Sequence, residues 1–174
     1  MEPDNWGVVG RGNIDLYNKL GYVPIDANYS HGRQDITHRT VSRSIEYAHN
    51  DFSIALFARA MGNRAVYDKY IARSSNWKNL WMKDAEEPTT GIKGFFQARY
   101  SNGTFVTRPG EGCTTCFVAQ PGKDGEFYEE SAWSYSWFVP HDYAALIDLV
   151  GGKDRFVRRL GNSISDCWDA LLML

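Results

Sequence analysis

The run Thr40-Val41-Ser42-Arg43-Ser44-Ile45-Glu46-Tyr47-Ala48-His49-Asn50-Asp51-Phe52-Ser53-Ile54-Ala55-Leu56-Phe57-Ala58-Arg59-Ala60 decides the fold class. Val41, Ile45, Ala48, Phe52, Ala55, Leu56 and Ala60 return mostly at steps of three or four, the period of a helix with one apolar face. Gly62 stops it, and a second helix is expected over about residues 64–80, with Val66, Tyr67, Tyr70, Ile71, Trp77 and Leu80 as its apolar positions. Two long helices joined by so short a turn form an αα-hairpin.

Upstream, residues 13–20 have a helix-like pattern ending at Gly21, and Val23 before Pro24 is extended because that position avoids the helical region. Residues 26–39 are polar and loop-like. Downstream, residues 81–128 show no sustained period, with possible short strands at 95–100 and 105–106. Helices are expected from 131 toward 138, over 143–150 before Gly151-Gly152, and over 153–160 before Gly161. Residues 165–173 are apolar and ambiguous. The fold class is therefore all-α: helix pairs with long irregular connections, which in a compact domain are usually functional or tied down.

Chemistry concentrates in Glu129-Glu130-Ser131-Ala132-Trp133-Ser134-Tyr135-Ser136-Trp137-Phe138-Val139-Pro140-His141-Asp142. Trp133 and Trp137 are four apart and share one helical face. Aromatic rings beside carboxylates suit sugars, whose apolar faces stack while their hydroxyls donate to the acids. A carboxyl packed on aromatics is also desolvated, which keeps it protonated as a general acid. The plain alternative is a helix start with an aromatic core stripe.

The chain has 174 residues, 43% hydrophobic and 23% charged, enough for one globular domain. Aromatics reach 14%, which fits a carbohydrate surface or a well-filled core. A net charge of −2 gives no long-range attraction for nucleic acid or an anionic membrane. No apolar run is long enough to span a bilayer, and polar residues follow Met1 with no signal-peptide pattern. Cys113-Thr114-Thr115-Cys116 has metal-like spacing without a second pair, so a loop disulfide or two idle thiols are favoured over zinc. Asn102-Gly103-Thr104 is a glycosylation acceptor in a secreted chain.

Several stretches in order carry a resemblance: Leu20-Gly21-Tyr22-Val23-Pro24, residues 41–51, Arg73-Ser74-Ser75-Asn76-Trp77, Gly94-Phe95-Phe96-Gln97, residues 127–142, and Leu149-Val150-Gly151-Gly152-Lys153. The series resembles glycoside hydrolase family 92, the calcium-dependent α-mannosidases, especially secreted fungal members. The resemblance covers most of residues 1–160. It implies that residues 1–174 are a fragment of the helical catalytic domain, part of an (α/α)6 barrel that follows a β-sandwich in the family. It implies an exo-acting enzyme hydrolysing α-mannosides of glycans with inversion, where one carboxylic acid protonates the leaving oxygen and a second carboxylate activates water.

On that alignment Glu129 is the general acid, Glu130 replaces a small residue, and Ser134 replaces a Gln or Glu. Trp133, Arg43 and His141 are the candidate substrate-binding residues. Core packing is the structural alternative for Trp133 and an ion pair with Glu46 that for Arg43, while His141 and Asp142 are candidates for hydrogen bonding in the barrel mouth. Asp142 is favoured as a helix cap, and Asp51 as structural. The general base belongs to Asn-Glu-Pro and Asn-Asp-Asp blocks that this chain does not contain, and no metal ligand is assigned within it. Calcium is the cofactor the family implies. The partners implied are mannose-containing glycans and the remainder of a full-length enzyme, secreted in that form, with neither nucleic acid nor membrane. The alternative to catalysis is a non-catalytic carbohydrate-binding or truncated remnant.

Overall fold

A computed structural model of the chain describes residues 11–27, 39–87, 90–106, 126–128 and 132–172, with side chains described as far as residue 162. It is mostly helical. In chain order the elements are α1 (Ile14–Leu20), α2 (Thr40–Ala60), α3 (Arg64–Arg73), a 3₁₀ helix (Asn76–Leu80), β1 (Trp81–Glu86), β2 (Lys93–Phe96), α4 (Ala132–Tyr135), α5 (Tyr143–Leu149) and α6 (Lys153–Leu172).

The α2–α3 hairpin is as the periodicity predicts. Val41, Ile45, Ala48 and Ala55 of α2 are fully buried. Asn63 caps α3 by accepting from the backbone N–H of Val66 at 3.2 Å. The far end of the hairpin is bare: Phe57 and Met61 are 67% and 68% exposed, and α3 has no buried residue. Val66, Tyr67, Tyr70 and Ile71 of α3 are half-buried.

The second helix is shorter than its apolar pattern suggests. It stops at Arg73, where the Ser74 hydroxyl donates to the Ile71 carbonyl at 2.8 Å. The chain then tightens into the 3₁₀ helix, which buries Trp77 and Leu80, and continues as β1. The apolar positions at 77 and 80 thus belong to the core through a change of element. α6 departs in the other direction: it runs unbroken through Gly161, an interior glycine costing about 1 kcal/mol against alanine.

A two-stranded antiparallel hairpin amends the all-α expectation. Trp81 pairs with Phe96, Met82 with Phe95 and Glu86 with Lys93, with an irregularity between Met82 and Glu86. The predicted strand at 95–100 is displaced to 93–96, and 105–106 reduces to an isolated bridge between Arg99 and Phe105. Gly94 has φ +85°, and a Cβ there would meet the Trp81 ring at 2.8 Å. Glycine is therefore required both for the backbone angle and for the close approach.

The main core lies where α2, the 3₁₀ helix, the hairpin and the 135–146 segment meet. Trp77 and Trp81 both pack edge-on to Phe96, with ring centroids 6.0 and 5.1 Å away. Ile45, Leu80, Val139 and Leu146 complete it, each fully buried. A smaller cluster of Tyr17, Val23 and Tyr47 fastens α1 to α2.

Candidate functional site

Glu129, the candidate acid, lies outside the described residues, as do Glu130 and Cys113 and Cys116. The residues on both sides of it are held firmly. On the entry side, Glu126 reaches the start of α2, where its Oε2 accepts from the backbone N–H of Thr40 at 3.2 Å and also from the Thr40 hydroxyl. The Thr40 N–H is one of the unpaired donors at a helix start, and Arg39 at the cap position supplies no side-chain bond. Glu126 thus caps α2 from 86 residues away. Ser42 continues the attachment. Its hydroxyl accepts from the Tyr128 N–H at 2.7 Å, and its own N–H donates to the Glu126 carbonyl at 3.4 Å. The Arg39 guanidinium covers the Tyr128 ring at 4.2 Å.

On the exit side, α4 is a single turn whose residues Ala132, Trp133 and Tyr135 are buried. Trp133 is 3% exposed, set edge-on against Phe95 at 5.1 Å. The Arg159 guanidinium lies 5.1 Å from its ring centroid. Protein groups pack on this ring, and its indole N–H is buried without a hydrogen-bond partner. The core alternative describes Trp133 in this structure.

Arg159 of α6 is the group that sequence reading missed. It is 2% exposed, and its guanidinium lies 4.0 Å from the Phe95 ring, 5.6 Å from Trp81 and 5.9 Å from Trp137. It donates to the Ser136 hydroxyl at 2.8 Å and to the Lys93 carbonyl at 3.1 Å. Burial pulls its pKa down to about 10, so it stays charged at neutral pH. One side chain thereby ties α6 to β2 and to the end of the acid-bearing block. Only the four-residue recurrence of Arg155 and Arg159 on a helix could have flagged it, and that is no distinguishing signal.

The other candidates separate. Arg43 is half-buried on α2 beside Ser42. Glu46 is exposed, yet desolvation by neighbouring groups raises its carboxyl pKa while Arg43 acts to lower it. His141 shares a hydrogen bond of 2.9 Å between its Nε2 and the Ser74 carbonyl, with its ring 5.5 Å from His49 and 5.4 Å from Phe52. Since a carbonyl only accepts, Nε2 carries the proton. Nδ1 is buried with no partner. Burial lowers the His141 pKa, with the Ser74 bond opposing and His49 adding to the effect.

Asp142 corrects the cap expectation. It occupies the residue before α5 but makes no cap bond. Its Oδ2 instead takes the Trp77 indole N–H at 3.3 Å and pairs with the Lys78 ammonium at 3.1 Å. Of the buried indole N–H groups, that of Trp77 finds its acceptor in Asp142, whereas those of Trp81 and Trp133 have none. Asp51 is structural, and more than the sequence suggests. It is fully buried, and it accepts from Arg11 at 3.0 Å, Arg73 at 2.9 Å and the Tyr17 hydroxyl at 3.2 Å. Burial, and then the Asp51 charge, raise the Tyr17 phenol above its ordinary pKa.

No group of three or more His, Cys, Asp or Glu side chains among the described residues converges as a metal site requires. Asp51, the fully buried carboxylate, is matched by two guanidiniums.

Paired helices, a buried aromatic wall and anchors at Glu126, Tyr128 and Ser136 are the described frame of the candidate site. The profile of the glycosyl hydrolase family 92 catalytic domain matches residues 1–170, and the chain belongs to that family. A protein of Arthroderma benhamiae described as an uncharacterized secreted glycosidase is 37% identical over 166 residues, 92% of this chain and 21% of that protein. The family 92 inverting mannosidase of Bacteroides thetaiotaomicron superposes with a TM-score of 0.65 at 30% identity, over 87% of this chain and 17% of its own. A second family 92 α-mannosidase of that bacterium, solved with mannoimidazole, gives a TM-score of 0.65 at 27% identity, over 86% of this chain and 17% of its own. The chain thus spans about a fifth of these relatives. No helix among the described residues is long and apolar enough to cross a membrane.

Proposed function

We propose that the chain supplies the general-acid segment of a secreted, exo-acting α-mannosidase that hydrolyses α-mannosides of glycans with inversion. The anchoring on either side of Glu129 carries the reading: Glu126 and Tyr128 are bound to the start of α2, and Ser136 to Arg159. Anchored neighbours suit a catalytic acid, because a misplacement of about 1 Å can cost on the order of 10²-fold in rate. Membership of the family, likeness to an inverting mannosidase and a relative described as secreted support the chemistry and the location.

Glu129 protonates the leaving oxygen. The second carboxylate, which activates water, comes from sequence beyond these 174 residues, since the chain holds neither Asn-Glu-Pro nor Asn-Asp-Asp. Arg43, on the face of α2 next to the Ser42 anchor, contacts sugar hydroxyls. Trp133 packs in the aromatic wall with Phe95, and His141 fixes the 139–142 segment to Ser74 at the end of α3. The helix pairs belong to an (α/α)6 barrel, whose neighbouring helices cover Phe57 and Met61. Calcium is held by residues outside the described ones.

The test is made in the full-length enzyme. Glu129→Gln is expected to lower kcat/KM by roughly 10²–10⁴-fold on substrates with poor leaving groups, and by less on an activated aryl mannoside. Glu130→Gln is expected to be nearly silent. A more damaging Glu130→Gln would move the acid by one residue, and silence in both variants would refute the assignment. The isolated 174-residue chain is expected not to turn over an aryl α-mannoside with calcium present.

A further inference from the structure

We propose that Asn102 is an N-glycosylation acceptor, its side-chain nitrogen taking an oligosaccharide from a lipid-linked donor. The proposal rests on the secretory routing proposed above.

An Asn-x-Thr triplet alone is common. The geometry around this one is more specific. Asn102 and Thr104 are both exposed, on the turn between the bridged residues Arg99 and Phe105. Asn102 Oδ1 accepts two bonds from the same residue, the Thr104 N–H at 2.9 Å and the Thr104 hydroxyl at 2.8 Å. This is a side-chain turn in which the hydroxyl that defines the triplet lies directly on the acceptor amide. The amide nitrogen takes part in neither bond.

Those two bonds bear on the chemistry. An amide nitrogen is a poor nucleophile because its lone pair is delocalised onto oxygen. Donors on Oδ1 stabilise the negative charge that gathers there as Nδ2 gives up a proton, which frees an electron pair on nitrogen. That pair forms a bond to the anomeric carbon of the lipid-linked sugar. The anomeric carbon–oxygen bond breaks, the lipid pyrophosphate leaves with its electrons, and the Nδ2 proton goes to a base of the transferring enzyme.

The turn is held from beneath and stays open above. Ser101 donates from its N–H and hydroxyl to Asp26 at 2.8 and 2.7 Å. Arg99 donates to the Gly103 carbonyl from Nε at 2.9 Å and from Nη2 at 2.6 Å. The Gly103 N–H returns to Tyr100 at 2.9 Å, and Gly103 has φ +88°, which its lack of a side chain permits. Within residues 99–104 these bonds, like those between Asn102 and Thr104, are local. They can form in the emerging chain, and after folding a glycan at Asn102 displaces no core group.

The experiment sends the full-length protein through a eukaryotic secretory pathway behind a cleavable leader, with a flexible terminal tag carrying a known acceptor triplet. Molecules are isolated by the glycan on the tag, which marks entry into the lumen. Enzymatic release of glycans in heavy-oxygen water then converts each occupied asparagine into labelled aspartate, read peptide by peptide. Asn28-Tyr29-Ser30, outside the described residues, has the same pattern and is scored separately. Label is expected at position 102, lost in Asn102→Gln and Thr104→Ala and partly kept in Thr104→Ser. An unlabelled Asn102 peptide overturns the proposal, as does undiminished label in Thr104→Ala. Failure of the natural protein to be secreted by its own host would refute the routing and leave the site standing.

Discussion

Asp51 and Arg159 are both buried charges, and their described surroundings differ. Asp51 meets opposite charge: two guanidiniums at 3.0 and 2.9 Å, and the Tyr17 hydroxyl. Arg159 has the rings of Phe95, Trp133, Trp81 and Trp137 within 6 Å of its guanidinium, plus two neutral oxygens at hydrogen-bond distance. The first arrangement cancels a charge with others that would themselves be stranded without it. The second spreads a weakly hydrated, planar cation over aromatic faces. Around Asp51 the ion network joins α1, α2 and α3, whereas around Arg159 a single side chain joins α6 and β2 to the acid-bearing block.

The contrast predicts that removing charge is costly at Asp51, whereas at Arg159 the planar shape of the side chain matters as well. Asp51→Asn keeps the shape and leaves Arg11 and Arg73 without their counter-charge. Breaking a buried pair in this way costs about 3–5 kcal/mol, at roughly 2–4 °C of melting temperature per kcal/mol for a domain of this size. A melt unchanged within 2 °C or so would show that the guanidiniums find other partners.

At Arg159 the ranking of two substitutions is informative. Arg159→Met removes the charge and keeps reach and apolar contact, losing the described bonds to Ser136 and Lys93, each worth roughly 1.5–3 kcal/mol for a charged donor. Arg159→Lys keeps the charge but loses the planar face and the fork, and it buries a more strongly hydrated ammonium. Lysine is therefore expected to lower the melting temperature further than methionine does. The reverse order would mean that charge, not ring packing, holds this junction, as at Asp51.

The smallest effect concerns His141, a third partly buried ionisable group, neutral by virtue of its surroundings. Its folded pKa lies below the ordinary 6.5 because of burial. Below pH 6.5 the unfolded chain therefore takes up a proton that the folded chain refuses, and stability falls with pH. Above that value both states are neutral there and the contribution is constant. His141→Gln can still donate to Ser74 and removes the titration. The gap in melting temperature between wild type and variant should stay constant above pH 6.5 and shift in the variant's favour below it. A pH-independent gap would remove His141 from the acid sensitivity of the fold.

Much of this was legible in the sequence where interactions are local. The three-and-four spacing from Val41 to Ala60 specified α2, because a helix repeats its faces within a few residues. Gly21 ended α1 in the left-handed conformation a helix stop requires, with φ +79°. The block from Phe127 to Asp142 and its neighbours were enough to indicate the family, since the motifs are contiguous and ordered. The partition of its members was not legible. Trp133 has the same composition around it whether it faces a sugar or a core, and only the positions of Phe95 and Arg159 give it a place.

Asp142 has a capping residue's address, yet it serves Trp77 and Lys78, 65 and 64 residues earlier. The cap of α2 comes from Glu126, far beyond any local window. Gly161 has a stop residue's identity, and the helix continues through it. Period, turns and motif order are properties of neighbours along the chain, so the amino-acid sequence by itself determined the helices, most of their ends and the family. Asp51, the Thr40 N–H at the start of α2 and the Trp77 indole N–H take partners that folding brings within about 3 Å. Only the tertiary structure decided that Asp51 would gather Arg11, Tyr17 and Arg73, and that Arg159 would close over the rings.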